Sequence, residues 1–475
     1  MWNIQQAYID GAFVPVQGSE RLEMLSPATG QPIGTVTLAN RDDAKRAIEA
    51  ASRAQPALAG STKAQRIDML RRLEAAVLAR TEQICEATIE EYGGPLARSR
   101  WVSNYASQCF ADTARMLEGY DFERRMGDAV VRMEPVGVAG LIAPWNSTAG
   151  SICSKLASAI AAGCASVIKP SEFSPLQARV VTEALHEAGL PAGAVNVLLG
   201  RGGDVGDEIA THPAIAKISF TGSTATGKLI ARAGLETLKR VSLALSGKSA
   251  TVVLDDADLA TVLPMALGAA FMNNGQACVA GTRLLIPNAR MAQAIEGLRV
   301  AAAAMRVGDP RDPATAVGPL ASKAQFERVQ RFICRGLEQG ATLVAGGEGR
   351  PDGFDKGWFV RPTVFAGVRN DMDIAREEIF GPVLSVIGYD GEDEAVEIAN
   401  DSPYGLQAYV FSSQPQRALD VASRLRVGSV LVNRVTPELS APFGGVKQSG
   451  IGREFGLFGM EAFLEPKTVA LAQPG

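Results

Sequence analysis

Short β-branched segments alternate with helical segments from about residue 136 onward, and this alternation constrains the fold more than any other feature of the sequence. Residues 138–143 are predicted to form a strand and residues 151–162 a helix. A second strand at 166–169 and a second helix at 175–188 follow directly. Parallel strands need long crossover connections, so this order predicts a parallel α/β sheet. Such sheets bind ligands outside the carboxyl ends of their strands.

A second alternation begins near Ser249, so the 475 residues are predicted to form more than one domain. The first 115 residues are predicted to be rich in helix, with the strongest periodicity at 42–54 and 64–88. Two predicted strands, 128–134 and 463–471, fit neither alternation. Strands without an obvious partner often pair across a subunit interface, so they predict an oligomer contact.

Composition excludes several classes of function. The net charge is −4, so no basic surface for nucleic acid or an anionic membrane is expected. The N-terminus lacks the pattern of a signal peptide, and no apolar run is long enough to span a bilayer, so we expect a cytoplasmic protein. The two histidines have no Cys or carboxylate partners at ligand spacing, and no metal site is predicted.

One of the six cysteines, Cys278, lies in an unusual segment. It follows an apolar helical run and sits in a polar turn between Gly275 and Gly281, where the backbone can approach a ligand closely. No CxxC pair is present, so free thiols are expected. Cys278 is therefore a candidate nucleophile; the other interpretation is a buried thiol that only packs.

Two glycine-rich turns follow predicted strands. The turn at 220–229 nearly matches a phosphate-binding loop, but Leu229 stands where the magnesium-binding hydroxyl would be, and an ATPase is rejected. Gly222 and Ser223 before a helix can still bind a phosphate through backbone N–H groups. The turn containing Gly202 and Gly206 is a weaker dinucleotide signal, and either turn could be an ordinary strand–helix connection.

Polar residues also follow the first two strands of the alternation. Trp145 and Asn146 follow the first strand, and an Asn amide there could stabilise an oxyanion. Lys169 and Glu172 follow the second, where a carboxylate could reach a ribose hydroxyl. Each alone could be an ordinary turn residue, but together at successive strand ends they indicate a site.

Six motifs in order make the chain resemble the NAD(P)-dependent aldehyde dehydrogenase superfamily over essentially its whole length. They are Pro-Trp-Asn at 144–146, Lys-Pro-Ser-Glu at 169–172, Phe-Thr-Gly-Ser-Thr at 220–224, Gly-Gln-Ala-Cys at 275–278, Glu-Ile-Phe-Gly-Pro at 378–382 and Pro-Phe-Gly-Gly-Val-Lys-Gln-Ser-Gly at 442–450. The resemblance implies a Rossmann-type cofactor domain (1–120 and 136–246), an α/β catalytic domain (247–445) and a small β oligomerisation element (121–135 and 446–475). A homodimer or homotetramer is expected.

The resemblance also implies the chemistry. Cys278 would attack an aldehyde, Asn146 would hold the oxyanion, and a thioester would remain on Cys278. A free carboxylate at Glu172 would repel a 2′-phosphate, so NAD is expected in preference to NADP. The implied cofactor residues are Ala143, Pro144, Trp145, Lys169, Ser171, Glu172, Gly202, Gly206, Phe220, Thr221, Gly222, Ser223, Leu245, Glu378 and Phe380. The implied substrate tunnel comprises Ser147, Ser151, Ser154, Met272, Ala277, Val279 and Pro437. The small hydroxyl side chains of its three serines suit aromatic or functionalised aldehydes.

The chain departs from the family at one position. The family's general base is a Glu in a segment reading Leu-Glu-Leu-Gly-Gly-Lys, and Ala244 stands there in this chain. A methyl group accepts no proton, so thioester hydrolysis should be slowed by about 10²–10⁴-fold. Three explanations stand: an engineered Glu→Ala substitution that traps the acyl-enzyme, a natural enzyme that transfers the acyl group to coenzyme A, or a non-catalytic nucleotide-binding relative.

Overall fold

Four β-sheets and their flanking helices organise residues 1–470, which are the residues that this computed structural model describes. Residues 471–475 of the predicted oligomerisation element lie outside the described residues. The strands are β1 (Trp2–Ile4), β2 (Gln6–Ile9), β3 (Ala12–Pro15), β4 (Arg21–Leu25), β5 (Pro32–Thr37), β6 (Glu123–Met126), β7 (Ala129–Pro135), β8 (Val138–Ile142), β9 (Ser166–Lys169), β10 (Val195–Val197), β11 (Ile215–Thr221), β12 (Arg240–Ala244), β13 (Ala250–Val253), β14 (Arg283–Pro287), β15 (Thr342–Ala345), β16 (Thr363–Ala366), β17 (Val383–Tyr389), β18 (Gln407–Phe411), β19 (Ser429–Val432), β20 (Gly450–Ile451) and β21 (Leu464–Ala470). The helices are α1 (Arg41–Ala59), α2 (Lys63–Leu78), α3 (Thr81–Tyr92), α4 (Leu96–Glu118), α5 (Thr148–Ala162), α6 (Pro175–Glu187), α7 (Asp207–Thr211), α8 (Thr224–Leu235), α9 (Leu259–Phe271), α10 (Met291–Ala304), α11 (Lys323–Glu338), α12 (Asp373–Arg376), α13 (Glu392–Asn400), α14 (Pro415–Arg424) and α15 (Gly456–Glu461).

The first large sheet has eight strands in the order β20-β12-β11-β8-β9-β10-β2-β3. Strands β8 to β12 are parallel, as the strand–helix alternation predicts. The chain runs outward from β8 through β9 and β10, and then returns to add β11 and β12 on the other side. This reversal opens a crevice at the carboxyl ends of β8 and β11, where open α/β sheets bind ligands.

The second large sheet has seven strands in the order β15-β16-β17-β14-β13-β18-β19, and only β15 is antiparallel. The α/β fold class is therefore confirmed. Strands β14 and β18 are buried at all five positions, as expected for parallel strands covered on both faces.

Helix α5 is buried at fourteen of its fifteen positions, packed against β8 and β9 and against α2, α4 and α6. A helix that is apolar on every side lies either in a protein core or in a membrane. At fifteen residues α5 is shorter than the about 20 residues that a bilayer span needs, so it is a core helix. Across residues 1–470, no helix is both long and apolar enough to cross a membrane.

The two predicted strands without partners, 128–134 and 463–471, pair with each other in the structure as β7 and β21. They run antiparallel from Pro135 opposite Leu464 to Ala129 opposite Ala470, and β6 completes a three-stranded sheet. Strand β6 is exposed at all four positions. Strand β20, within the same predicted element, instead joins the first large sheet beside β12.

The helix-rich expectation for the first 115 residues is wrong at the N-terminus, where five strands precede α1. Strands β2 and β3 form a hairpin whose turn residues Asp10 and Gly11 have φ of 54° and 82°. An Asp-Gly pair favours this kind of turn, so the signal was present in the sequence. The periodic stretch 64–88 also divides into α2 and α3, with the break at Ala79 and Arg80.

Candidate active site

The crevice at the switch point of the first sheet is a cleft of about 510 Å³. Twelve of the fifteen residues that the sequence assigned to cofactor binding line it, from the ends of β8, β9 and β11 and the turn before α7. They are Ala143, Pro144, Trp145, Lys169, Ser171, Glu172, Gly202, Gly206, Phe220, Thr221, Gly222 and Ser223. Residues that the sequence reasoning did not select, among them Phe173, Asp207 and Thr226, line the same cleft.

Ser223 caps the N-terminus of α8. The first backbone N–H groups of a helix have no partner within the helix, so they can bind a ligand in the cleft. Its hydroxyl accepts a hydrogen bond from the Thr226 amide at 3.2 Å. Gly222 must lack a side chain, because a Cβ there would lie 2.4 Å from the Phe220 ring. The N-terminus of α8 thus presents backbone N–H groups and a helix dipole, which suit a phosphate.

Glu172 is not the free carboxylate that the sequence suggested. Lys169 Nζ lies 3.3 Å from one carboxylate oxygen, and Arg201 lies 3.7 Å from the other. Arg201 in turn forms an ion pair with Glu20 at 2.7 Å. Lys169 and Arg201 therefore offset the charge of Glu172, so repulsion of a 2′-phosphate cannot rest on an unpaired carboxylate.

The segment before Cys278 adopts a strained, tightly packed turn. Asn273 and Asn274 have φ of 55° and 59°, and Gly275 follows at 73°. A Cβ on Gly275 would lie 2.2 Å from the Gly381 carbonyl carbon, so glycine is required where the turn touches the 378–382 segment. The sequence motifs around Cys278 and Glu378 are thus in direct backbone contact. The two motifs precede β14 and β17, which are neighbouring parallel strands. Both motifs therefore lie at the amino ends of strands in the second large sheet.

Asn146 links the end of β8 to the turn before Cys278. Its amide Nδ2 donates to the Gln276 carbonyl at 2.8 Å. Asn273 returns the contact by donating from Nδ2 to the Asn146 carbonyl at 3.0 Å. The carboxyl ends of strands in the first large sheet and the amino ends of strands in the second therefore meet at the side chains of Asn146 and Asn273.

Glu378 faces the same point from the segment before β17 of the second large sheet. The Gly247 amide donates to Glu378 Oε1 at 3.0 Å, and the Ser246 hydroxyl also hydrogen-bonds to the carboxylate. A Cβ on Gly247 would lie 2.3 Å from the Cys278 carbonyl oxygen. Gly247 thus packs directly between Glu378 and Cys278.

Phe380 lies between this point and the cofactor cleft. Its φ is 63°, and Gln325 Nε2 holds the strained backbone by donating to the Phe380 carbonyl at 2.7 Å. Its ring meets Trp145, which lines the cleft, edge to face at 5.3 Å. Leu245 lies near the opposite wall, packed against Gly227 of α8.

The thiol of Cys278 is partly exposed but largely desolvated. Burial, together with the nearby charge of Glu378, raises the pKa of Cys278 to about 12. Burial also raises the pKa of Glu378. Hydrogen bonds from Ser246 and Gly247 lower this pKa, but the effect of burial is larger. The Cys278 thiol therefore favours its neutral form in this state, and a thiolate needs additional stabilisation.

Ala244 ends β12 in register with Thr221, and its carbonyl accepts a hydrogen bond from the Gly222 amide at 3.1 Å. Its buried methyl brings no ionisable group. The other carboxylate that raises the pKa of Cys278 is Glu454, which forms an ion pair with Lys155 and accepts from Ser219 at 3.2 Å. The sequence reasoning missed this pair. A lysine inside the apolar helix α5 was the available signal, since buried charges need a partner.

The residues assigned to a substrate tunnel divide into three groups. Ser147, Ser151 and Ser154 lie at the start of α5, directly after Asn146. Met272, Ala277 and Val279 lie on the partly exposed segment around Cys278. Pro437 lies apart in the exposed loop after β19.

Comparison with known proteins gives a consistent result. Residues 13–469 match the model of the family described as "Aldehyde dehydrogenase family". A 3-succinoylsemialdehyde-pyridine dehydrogenase from a Pseudomonas species is 42% identical over 471 residues, covering 99% of both chains. A mutant of aldehyde dehydrogenase C from Pseudomonas syringae, solved with NAD⁺ and octanal, matches with a TM-score of 0.97 and 41% identity over 98% of this chain and 96% of that one. The Mycobacterium tuberculosis aldehyde dehydrogenase solved with NAD⁺ matches with a TM-score of 0.96 and 36% identity over 99% and 98%.

Proposed function

The chain belongs to the aldehyde dehydrogenase family, and on that premise we propose that it oxidises an aldehyde through a thioester on Cys278, with slow release of the acid. The observation that carries this proposal is that strand ends of the two large sheets meet at the turn before Cys278. Asn146 reaches the Cys278 turn from the first sheet, and Glu378 reaches it from the second through Gly247. The nucleophile thus lies next to the cleft that suits a dinucleotide.

The residues of the cleft fit NAD. The N-terminus of α8 at Ser223 would hold the pyrophosphate, Lys169 and Glu172 the adenosine ribose, and Glu378 the nicotinamide ribose. NAD, when bound, supplies the acceptor for the hydride that leaves the aldehyde carbon. We propose NAD rather than NADP because the Glu172 carboxylate, although paired with Lys169, lines the cleft and would oppose a 2′-phosphate on a ribose held there.

The chain's own groups perform the remaining chemistry. The Cys278 thiolate forms the C–S bond, and the Asn146 amide with the Cys278 backbone N–H holds the oxyanion, the kind of stabilisation that contributes most in acyl transfer. After the hydride leaves, the carbonyl re-forms and a thioester remains on Cys278. Water must then attack that carbonyl, and no carboxylate extends from position 244 to take its proton.

We therefore propose that deacylation is the impaired step. An otherwise intact set of motifs around Ala244 favours a Glu→Ala substitution that traps the acyl-enzyme. A positioned base accelerates a proton-transfer step by about 10²–10⁴-fold. Without it, hydrolysis of the thioester should be much slower than its formation, and the acyl group should persist on Cys278.

Rapid mixing with NAD and a panel of aldehydes tests the proposal. We expect a burst of about one NADH per Cys278, followed by slow turnover, and an acyl adduct in the intact mass. The matched Cys278→Ala variant should give neither. A steady rate without a burst would contradict slow deacylation, and the absence of both across the panel would favour a non-catalytic nucleotide-binding relative.

A coenzyme A-acylating dehydrogenase is the second candidate, because Ala244 leaves the thioester without its hydrolytic base. In that case coenzyme A should accelerate turnover after the burst and acyl-coenzyme A should form. Under the hydrolytic proposal, coenzyme A leaves the slow phase unchanged.

The remaining parts of the proposal concern substrate and assembly. The small side chains Ser147, Ser151 and Ser154 leave room for an aromatic or functionalised aldehyde. The sheet of β6, β7 and β21, in which β6 is exposed at every position, supports a homodimer or homotetramer. All six cysteines are unpaired, which supports a cytoplasmic location.

A further inference from the structure

Helix α4 carries an aromatic stripe that ends in a cation. Arg98, Trp101 and Tyr105 are spaced by three and four residues, which places them on one face of the helix. The Arg98 guanidinium carbon lies 4.3 Å from the Trp101 ring centroid. The Trp101 and Tyr105 rings stack at 5.4 Å with an interplanar angle of 15°. We refer to these three residues as the α4 stripe.

One end of the α4 stripe packs on the helix that follows Asn146. A Cβ on Gly150 would lie 2.8 Å from the Tyr105 ring, so Tyr105 lies directly on the first turn of α5. The Tyr105 hydroxyl also hydrogen-bonds to Ser154. The stripe therefore borders the wall formed by the small serines of α5.

The other end of the α4 stripe lies beside the Cys278 turn. The Arg98 guanidinium lies near the phenol groups of both Tyr92 and Tyr105. The Tyr92 hydroxyl donates to the Asn273 carbonyl at 3.0 Å and accepts from Gln276 Nε2 at 3.0 Å. Arg98 thus lies between a ring fixed to α5 and a ring fixed to the turn that carries the nucleophile.

Arg98 is half-buried and lacks the partners that the fully buried Arg66 and Arg283 have. Within residues 1–470 it forms no ion pair, and its buried Nε has no hydrogen-bond acceptor. Arg66 donates to the carbonyls of Ala59, Ala161 and Ala162, besides the Ser61 hydroxyl. Arg283 donates to three backbone carbonyls and to Asn370. Folding satisfies those two guanidinium groups, whereas the half-buried Arg98 keeps a buried Nε without an acceptor, which a carboxylate can supply.

We propose that Arg98 binds a carboxylate at the far end of the substrate, so that the aldehyde oxidised at Cys278 also carries a carboxylate. This inference rests on the proposed function and names its substrate class. A guanidinium edge matches a carboxylate through two parallel hydrogen bonds. Stacking on Trp101 occupies one guanidinium face and leaves that edge free.

Two aldehydes that differ only in charge test the inference. The two aldehydes are 4-carboxybenzaldehyde and its neutral methyl ester, methyl 4-formylbenzoate. The measurement compares their NADH burst rates, each divided by the aldehyde concentration. We expect a preference for the carboxylate of about 10- to 100-fold, the factor for a hydrogen bond between charged groups. Arg98→Met should abolish this preference while the ester reacts at its original rate. Arg98→Lys, which keeps the charge without the fork, should retain part of it.

Arg100→Met is the matched control, because Arg100 lies two residues along the same helix but is exposed. It should leave the preference unchanged. A burst with both aldehydes at equal rates, or a preference that survives Arg98→Met, overturns the inference and leaves the proposed function intact.

A separate measurement covers the failure of the proposed function. If neither aldehyde gives a burst, calorimetric titration with terephthalate and with its monomethyl ester still reports on Arg98. Tighter binding of the dicarboxylate that is lost in Arg98→Met supports the carboxylate site. Equal affinities in both proteins overturn it.

Discussion

The side-chain amide of Asn146 lies 2.8 Å from the carbonyl oxygen of Gln276, two residues before Cys278. Asn146 follows β8 of the first large sheet and Gln276 precedes β14 of the second, so this hydrogen bond joins the two sheets next to the nucleophile. The amide is therefore fixed in place before a substrate arrives, and a fixed donor stabilises a developing charge without further reorganisation.

Replacing Asn146 by Ala should slow acylation by about 10²–10³-fold, because one oxyanion donor is lost. The burst rate with NAD and a reactive aldehyde measures this directly. Alkylation of Cys278 by iodoacetamide, which passes through no oxyanion, serves as the control and should change little. An unchanged burst rate would remove Asn146 from the oxyanion site.

Replacing Ala244 by Glu should raise the steady-state rate by about 10²–10⁴-fold, because a carboxylate can then take the proton of the attacking water. The burst should disappear as deacylation ceases to limit turnover. Ala244→Gln has a similar size without the basicity and should keep the slow phase. Equal rates in the Glu and Gln variants would show that no base is missing at this position.

Alkylation of Cys278 should accelerate steadily as the pH rises from 7 to 10 without reaching a plateau. Burial and Glu378 raise the pKa of this thiol to about 12, so the thiolate fraction grows about tenfold per pH unit throughout that range. Mass spectrometry of the Cys278 peptide gives the rate. Removing the Glu378 charge lowers the pKa of Cys278, so Glu378→Gln should alkylate faster at each pH. A plateau near pH 7 would contradict the raised pKa.

Replacing Glu172 by Gln should shift the preference from NAD toward NADP by about tenfold or more. The substitution leaves Lys169 and Arg201 with less compensating charge, so a 2′-phosphate gains an attraction that the carboxylate opposed. The ratio of burst rates with the two cofactors measures the shift. Glu20→Gln removes the exposed partner on the far side of Arg201 and should change the ratio less. A fall in NADP use in Glu172→Gln would contradict this account.

Much of the fold was determined by local pattern in the sequence. The strand at 166–169 has the bounds that its β-branched run predicts, because buried parallel strands are continuous apolar segments between turns. The N-terminal strands β1 to β3 were missed because they are only three or four residues long, and their one strong signal was the Asp-Gly turn. The pairing of β7 with β21, more than 300 residues apart, has no local signal at all.

The sequence by itself also determined which residue types could do chemistry, namely Cys278, Asn146 and Glu378 and the absence of a carboxylate at Ala244. Only the tertiary structure decided their surroundings. It paired Glu172 with two cations, fixed Asn146 on Gln276, and left Arg98 without a partner beside Trp101. The physical reason is that a motif fixes a side chain's chemistry, whereas its charge balance and desolvation depend on groups brought near it by folding from distant parts of the chain.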